Sequence, residues 1–280
     1  MKLLTTRLLP FFMLFTGTAF ADNHTDWRTW PMGDRAGISV GAFFANLDSK
    51  VGIGTTDTGA ILDFESDLGL EDTKTRPLVS GFWRISKRNK LSIEYFNLDR
   101  SADITTNKQL IIGEGDDQII IPVDANVDSF FDIEAMTINY SFSFVRKERH
   151  DFFAGLGLSW QSYKIGIRNQ DNQESLNFKA AAPLPSINIG YDFAFNDKWV
   201  WKNKIGGLIV KLDLDDDSSF SGNVYDLSTG IEWRAFRYAS LGLSFDYFQV
   251  DVDVTDKPSD LTAAIKYDYF GPKLFVTARF

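Results

Sequence analysis

The 280-residue chain has no cysteine, which removes disulfide frameworks, thiolate nucleophiles and zinc knuckles together. Histidine is almost as scarce, with only His24 and His150. A positioned general base is most often histidine. His24 lies close to the N-terminus, and His150 lies in an expected turn among Arg146, Lys147 and Arg149. Neither is placed to serve an outward-facing or membrane-embedded site. The expectation is therefore that the protein is not an enzyme and has no catalytic, cofactor-binding or metal-ligating residues. A hydrolase built on carboxylates alone would escape this reasoning. No basic stripe accompanies the net charge of −9, which argues against nucleic acid as a partner. After residue 21 no apolar run approaches the roughly 20 residues that a spanning helix needs.

What is present begins with a leader. Lys2 and Arg7 precede an apolar run from Leu8 to Phe20 that closes on Ala19-Phe20-Ala21. That is the A-x-A pattern of a secretory signal peptide, too short to span and interrupted by Pro10. Cleavage after Ala21 would remove Lys2 and Arg7 and take the net charge from −9 to −11. Residues 22–35 are expected to form an N-terminal periplasmic segment and residues 36–280 a single barrel domain, since no linker divides them.

Period-2 alternation dominates from residue 36 onward. Leu241, Leu243, Phe245 and Tyr247 alternate with Ser240, Gly242, Ser244 and Asp246. The same holds for Met136–Phe144, Ile187–Phe195 and Tyr225–Trp233. The polar face is rich in Gly and Ser, which weaken a solvated sheet but suit the crowded inside of a narrow barrel. Short connections at Lys87–Asn89, Arg146–His150, Asn196-Asp197 and Phe236–Tyr238 alternate with longer acidic ones, the outer-membrane pattern. The fold expected is all-β: a transmembrane up-and-down antiparallel β-barrel of about ten strands, with eight or twelve as alternatives. The strands fall near 36–48, 75–86, 90–106, 120–145, 151–168, 182–195, 198–212, 222–236, 239–253 and 261–280. The loop from Asp48 to Lys74 has room for an extra strand, and Lys108 to Val123 for a hairpin above the membrane. The apolar phase changes after Tyr95, Trp160 and Tyr247; a bulge near the outer interface would account for each change.

Twelve charged residues are expected in the lumen: Arg84, Glu94, Asp192, Lys202, Lys204, Asp226, Glu232, Arg234, Asp246, Lys266, Asp268 and Arg279. Their signs balance, which favours a paired network filling the interior over a one-sign selectivity ring. Trp83, Phe142, Phe144, Phe193, Phe195, Trp199, Trp201, Trp233 and Phe236 flank the short turns and fit an interfacial aromatic girdle. Two acidic clusters fall in expected outer loops: Asp213 with Asp215–Asp217, and Asp251, Asp253 and Asp256. They are candidates for divalent cations bridging to lipopolysaccharide, although no calcium-loop pattern is present.

The strand from Leu274 through Val276 and Ala278 ends in Phe280. It resembles the carboxy-terminal signature of outer-membrane barrels, which implies Phe280 as an assembly signal read by the barrel-assembly machinery. The segments Leu62–Leu70, Phe82–Arg88 and Gly271–Phe275 resemble a group of uncharacterised outer-membrane barrel proteins of Gram-negative bacteria. That resemblance covers nearly the whole mature chain and implies fold and location, with outer-membrane lipid and lipopolysaccharide as partners. It implies no activity. The functional expectation is a structural or surface-interaction barrel with a charge-filled, closed lumen. The alternatives are a small-solute, porin-like channel and a surface-exposed barrel enzyme. No peptidoglycan-binding domain is expected after Phe280.

Overall fold

A computed structural model describes residues 26–54, 59–112, 119–171, 175–213, 218–256 and 261–280. In chain order it contains a 3-10 turn at Trp27–Thr29 and strands β1 (Ala36–Gly54), β2 (Gly59–Asp63), β3 (Thr73–Arg84), β4 (Asn89–Thr105), β5 (Leu110–Ile112), β6 (Ile119–Ile121) and β7 (Asn126–Arg146). Then follow β8 (His150–Asn169), β9 (Ser175–Ala194), β10 (Trp199–Asp213), β11 (Ser218–Trp233), β12 (Ala239–Asp256) and β13 (Leu261–Arg279). Ten of them, β1, β3, β4 and β7–β13, pair antiparallel in sequence order, and β13 returns to β1 to close the barrel. Closure runs from Gly37↔Arg279 to Gly54↔Thr262, reinforced by Arg35 N and Ala36 N donating to Phe280 O. β2 lies in the first long connection, and β5 pairs with β6 as a separate hairpin, so both expected additions are present.

All four expected short turns lie at one rim. Above it, each strand shows water or lipid a different outward face at two heights. In the lower part the outward side chains are apolar: Phe152, Leu156, Leu158 and Trp160 on β8, and Leu241, Leu243 and Phe245 on β12. From Phe152 to Trp160 is about nine residues, the length of a membrane-crossing barrel strand. Beyond this belt the outward positions turn polar. Asn97 and Asp99 follow Tyr95 on β4, Ser162 and Lys164 follow Trp160 on β8, and Gln249 and Asp251 follow Tyr247 on β12. Inward positions change the opposite way, to Phe96 and Leu98, Tyr163 and Ile165, and Phe248 and Val250.

This inversion corrects the expectation of bulges. The registers Ile93↔Ile138 to Thr105↔Asn126 and Ser240↔Thr277 to Asp256↔Leu261 run on without a slip. Trp160 and Tyr163 likewise lie in one unbroken β7–β8 register. Among the described residues, a register shift lies between Ser143 and Val145, at the short-turn rim. No side chain changes face; the surroundings change from lipid outside and polar lumen inside to water outside and apolar core inside. About ten residues of each long strand lie above the belt. At 3.3 Å per residue and a tilt near 40°, they extend roughly 25 Å beyond it.

The wall is closed only in its lower half. β9 and β10 pair from Val200↔Ala194 to Gly207↔Ile187, although both strands continue to Ser175 and Asp213. β3 and β4 pair from Arg84↔Lys90 to Val79↔Tyr95 and then part. The upper half is thus two sheets, β4-β7-β8-β9 and β10-β11-β12-β13-β1-β3. Proline marks each seam. Pro183 and Pro185 stay in register with β8, and Pro77 with β1, so the donors they lack are those that would face β10 and β4.

Candidate functional site

The lumen is the candidate site, and it is filled in three layers. At the short-turn rim the segment 26–35 folds into the mouth. Met32 packs with Ala194 and Val200 on the inner wall. Arg146 donates through Nη2 to Met32 O at 2.5 Å, and its guanidinium lies 5.8 Å from the Trp27 ring. Asp34 receives Arg234 at 2.6 Å and Arg279 at 3.3 Å, so one carboxylate straps the segment to two strands.

Above this lies a polar cavity of about 260 Å³, with adjoining spaces of about 160 and 70 Å³. Alternation makes it polar: the inward positions of the belt carry Ser80, Ser92, Ser141, Asn139 and Asn188 beside the charged groups. Lys273 contacts Glu94 at 3.1 Å and Asp246 at 3.5 Å, and Lys204 contacts Asp226 at 2.7 Å. Lys202 pairs with Glu232, whose Oε1 accepts from Ser240 Oγ at 2.7 Å. Glycine keeps the space open where rings or amides cross it. A Cβ on Gly242 would collide with the Phe275 ring, and one on Gly157 with Asn139 and Ser186.

The third layer is apolar. Phe43, Phe96 and Tyr269 meet at centroid distances of 5.0–6.0 Å and, with Phe248, roof the cavity. Tyr163 and Tyr267 both donate to Gln161 Oε1, and all three are buried. Beyond them a buried cluster fills the space between the two upper sheets. The first long connection enters it as a wedge: Phe64 and Leu68 are fully buried, and Phe64 lies 5.2 Å from Phe131. Glu65 in that wedge meets Arg100 of β4, which also donates to Ser49 Oγ at 2.6 Å and Glu71 O at 3.4 Å.

Ten of the twelve expected lumen charges line the interior: Arg84, Glu94, Asp192, Lys202, Lys204, Asp226, Glu232, Arg234, Asp246 and Arg279. Lys266 and Asp268 do not, and that expectation is corrected. Tyr267 and Tyr269 take the inward positions of β13, leaving Lys266 on the outer surface in a 3.3 Å pair with Asp251. The cause is again the inversion, because above the belt the charged face is the outer one. Sequence reasoning missed Asp34, Lys90, Arg146, Asp151, Lys273, Glu65 and Arg100. Lys90 and Lys273 share the inward phase of Glu94 and Phe275, a signal that strand parity carries. Asp34, Glu65 and Arg146 lie in or beside connections, where parity carries none.

The aromatics flanking the short turns face outward, with Trp199 stacked on Trp233 at 5.9 Å and Phe152 on Tyr191 at 4.1 Å. His150 starts β8 instead of lying in the turn, and its Nδ1 is 2.9 Å from the Tyr191 hydroxyl. His24, the leader and Asp215–Asp217 lie outside the described residues, as do the side chains of Asp213, Asp253 and Asp256.

No family profile and no curated protein matches this chain. Among solved structures, its fold is similar to that of the outer membrane protease OmpT from Escherichia coli. Identity is 8%, the match covers 87% of this chain and 97% of that one, and the TM-score is 0.54. The toluene transporter TodX of Pseudomonas putida matches at 11% identity over 88% and 90% of the chains, with a TM-score of 0.37. Ail, the attachment invasion locus protein of Yersinia pestis, matches at 8% over 88% and 99%, with a TM-score of 0.33. The first of these corrects the expectation of no enzyme. The fold is one that a protease also has, so scarcity of histidine does not set catalysis aside. Identity this low carries the fold and no residue roles. The chain has the fold of outer-membrane β-barrel proteins.

Proposed function

We propose that the protein resides in the outer membrane as a blocked barrel and acts through its water-facing outer half, as a structural or surface-interaction protein. The carrying observation is the buried apolar cluster that fills the upper lumen, with Phe64, Leu68 and Leu70 inserted from the first long connection. A water-filled path would need polar walls throughout, and this layer has none of the continuity that conduction requires. The apolar outer belt supports membrane residence, with residues 1–21 as the export leader. Lipid and lipopolysaccharide would be the surroundings of belt and outer sheets, and Phe280 the signal to the barrel-assembly machinery.

Single-channel recording on refolded protein in planar bilayers tests the blocked lumen. Silence is expected from protein that shows the heat-modifiable gel mobility of a folded barrel. Steady steps proportional to salt would refute it and leave the second reading, a small-solute channel, which the polar lower cavity favours.

A further inference from the structure

The polar cavity is unevenly charged along its length. At its short-turn end, Arg84 and Arg146 share one carboxylate oxygen, Asp151 Oδ2, with Arg84 Nη2 at 3.3 Å. All three side chains are 5% exposed or less. Lys90 stands directly across from Arg84 in the β3–β4 register, and Asp192 across from Asp151 in the β8–β9 register. Three cations therefore face two carboxylates, which leaves one positive charge in excess. Lys90 rests its amine over the Phe153 ring at 4.7 Å, and the residue lines the cavity. Arg84 lines it as well, and its Nε and Nη1 are buried without a hydrogen-bond partner.

Buried guanidinium donors without partners are uncommon and costly. Water could satisfy the donors, but it is neutral and leaves the excess charge uncompensated in a low-dielectric space. An oxyanion satisfies both, because a guanidinium fork and an ammonium suit its oxygens. We propose that the lower lumen binds one small oxyanion, of the phosphate, sulfate or carboxylate class, between Arg84 and Lys90. Lys202, across from Asp192 in the β9–β10 register, offsets the repulsion of that carboxylate. The aromatic roof closes the cavity above, so the anion enters from the short-turn rim, past the Asp34 strap. The site depends on the lower lumen alone and stands whether or not the outer half binds partners.

The test is calorimetric titration of the refolded full chain with inorganic phosphate, chloride being exchanged to hold ionic strength constant. Saturable binding of one phosphate per chain is expected. Arg84→Gln and Lys90→Met should each weaken it at least tenfold, while Lys266→Met on the outer surface leaves it unchanged. Sulfate and acetate, titrated in competition, identify the preferred member of the class. No saturable uptake by the folded protein, or uptake that both inner variants retain, overturns the site. Should Arg84→Gln fail to refold, the result with Lys90→Met decides. A negative outcome leaves the blocked-lumen reading intact, since conductance tests that separately.

Discussion

Breaking the Glu65–Arg100 contact should release the wedge from the upper core. Arg100 is 1% exposed and Glu65 15%, and the guanidinium is further held by Ser49 Oγ and Glu71 O. Removing one member of a buried ion pair strands the other and costs about 3–5 kcal/mol, and the partial exposure of Glu65 places it at the lower end. Glu65→Leu should therefore weaken wedge docking by about 3 kcal/mol, which is roughly 150-fold in local opening at 1.4 kcal/mol per decade. Arg100→Met with Glu65→Leu removes both charges and should recover most of that loss, because apolar side chains of similar volume suit this core. The readout is amide exchange at Phe64 and Leu70, whose N–H groups donate to Ser49 O and Phe64 O, both at 3.0 Å. Acceleration of less than about fivefold in Glu65→Leu, or a double variant as labile as the single one, would refute the idea that the pair locks the wedge.

Three further outcomes follow from the fold. Leu158→Arg faces outward within the belt and should cost about 2–4 kcal/mol of refolding stability in lipid, whereas Ser162→Arg, above the belt, should cost almost nothing; vesicle refolding yields compare the two. Oxidation should cross-link Asn188→Cys with Gly206→Cys, which pair in register, but not Ser186→Cys with Leu208→Cys, one step above where pairing ends; ready formation of the upper disulfide would show that the seam is closed. Asp63, in β2 outside the belt, titrates below its ordinary 3.8: burial raises it, but hydrogen bonds from Ser66 and the nearby Lys50 outweigh burial. Its stabilisation is present at neutral pH and fades as pH falls through that lowered value, so the protection of Asp67 N–H, which donates to Asp63 O at 2.9 Å, measured against its intrinsic exchange rate, should fall below about pH 4.

Strand parity made the lower barrel legible. On β12, Leu241, Leu243 and Phe245 mark the belt, and the ten strands and the short-turn rim follow from segments of that kind. What parity could not show is where a strand leaves the membrane. At Tyr95-Phe96 and Tyr247-Phe248 a change of surroundings has the same sequence signature as a bulge. Lys266 and Asp268 lie outward for the same physical reason, because above the belt the charged face of β13 is the one that meets water. The wedge was hidden for a different reason: Phe64, Glu65 and Leu68 lie in a connection, where burial depends on contacts with Phe131 and Arg100 far along the chain. The seams were written in Pro77, Pro183 and Pro185, but a proline signals an unpaired edge only once its neighbours are known. Scarcity of histidine limits one kind of chemistry and leaves the fold free to support others.

The strap at Asp34 sets the order in which the molecule can form. Asp34 and Arg279 are 245 positions apart, while four pairs of neighbouring strands are joined by the short turns at that same rim. Bringing such distant points together costs about 3 kcal/mol more entropy than closing a five-residue turn, by the logarithmic dependence on loop length. The growing meander therefore remains an open sheet with two bare edges until β13 is in place. Closure, strap and mouth then form in one late event. The slow step of folding should be this ring closure, and any change that delays β13 prolongs the interval in which both edges are free to pair with another chain.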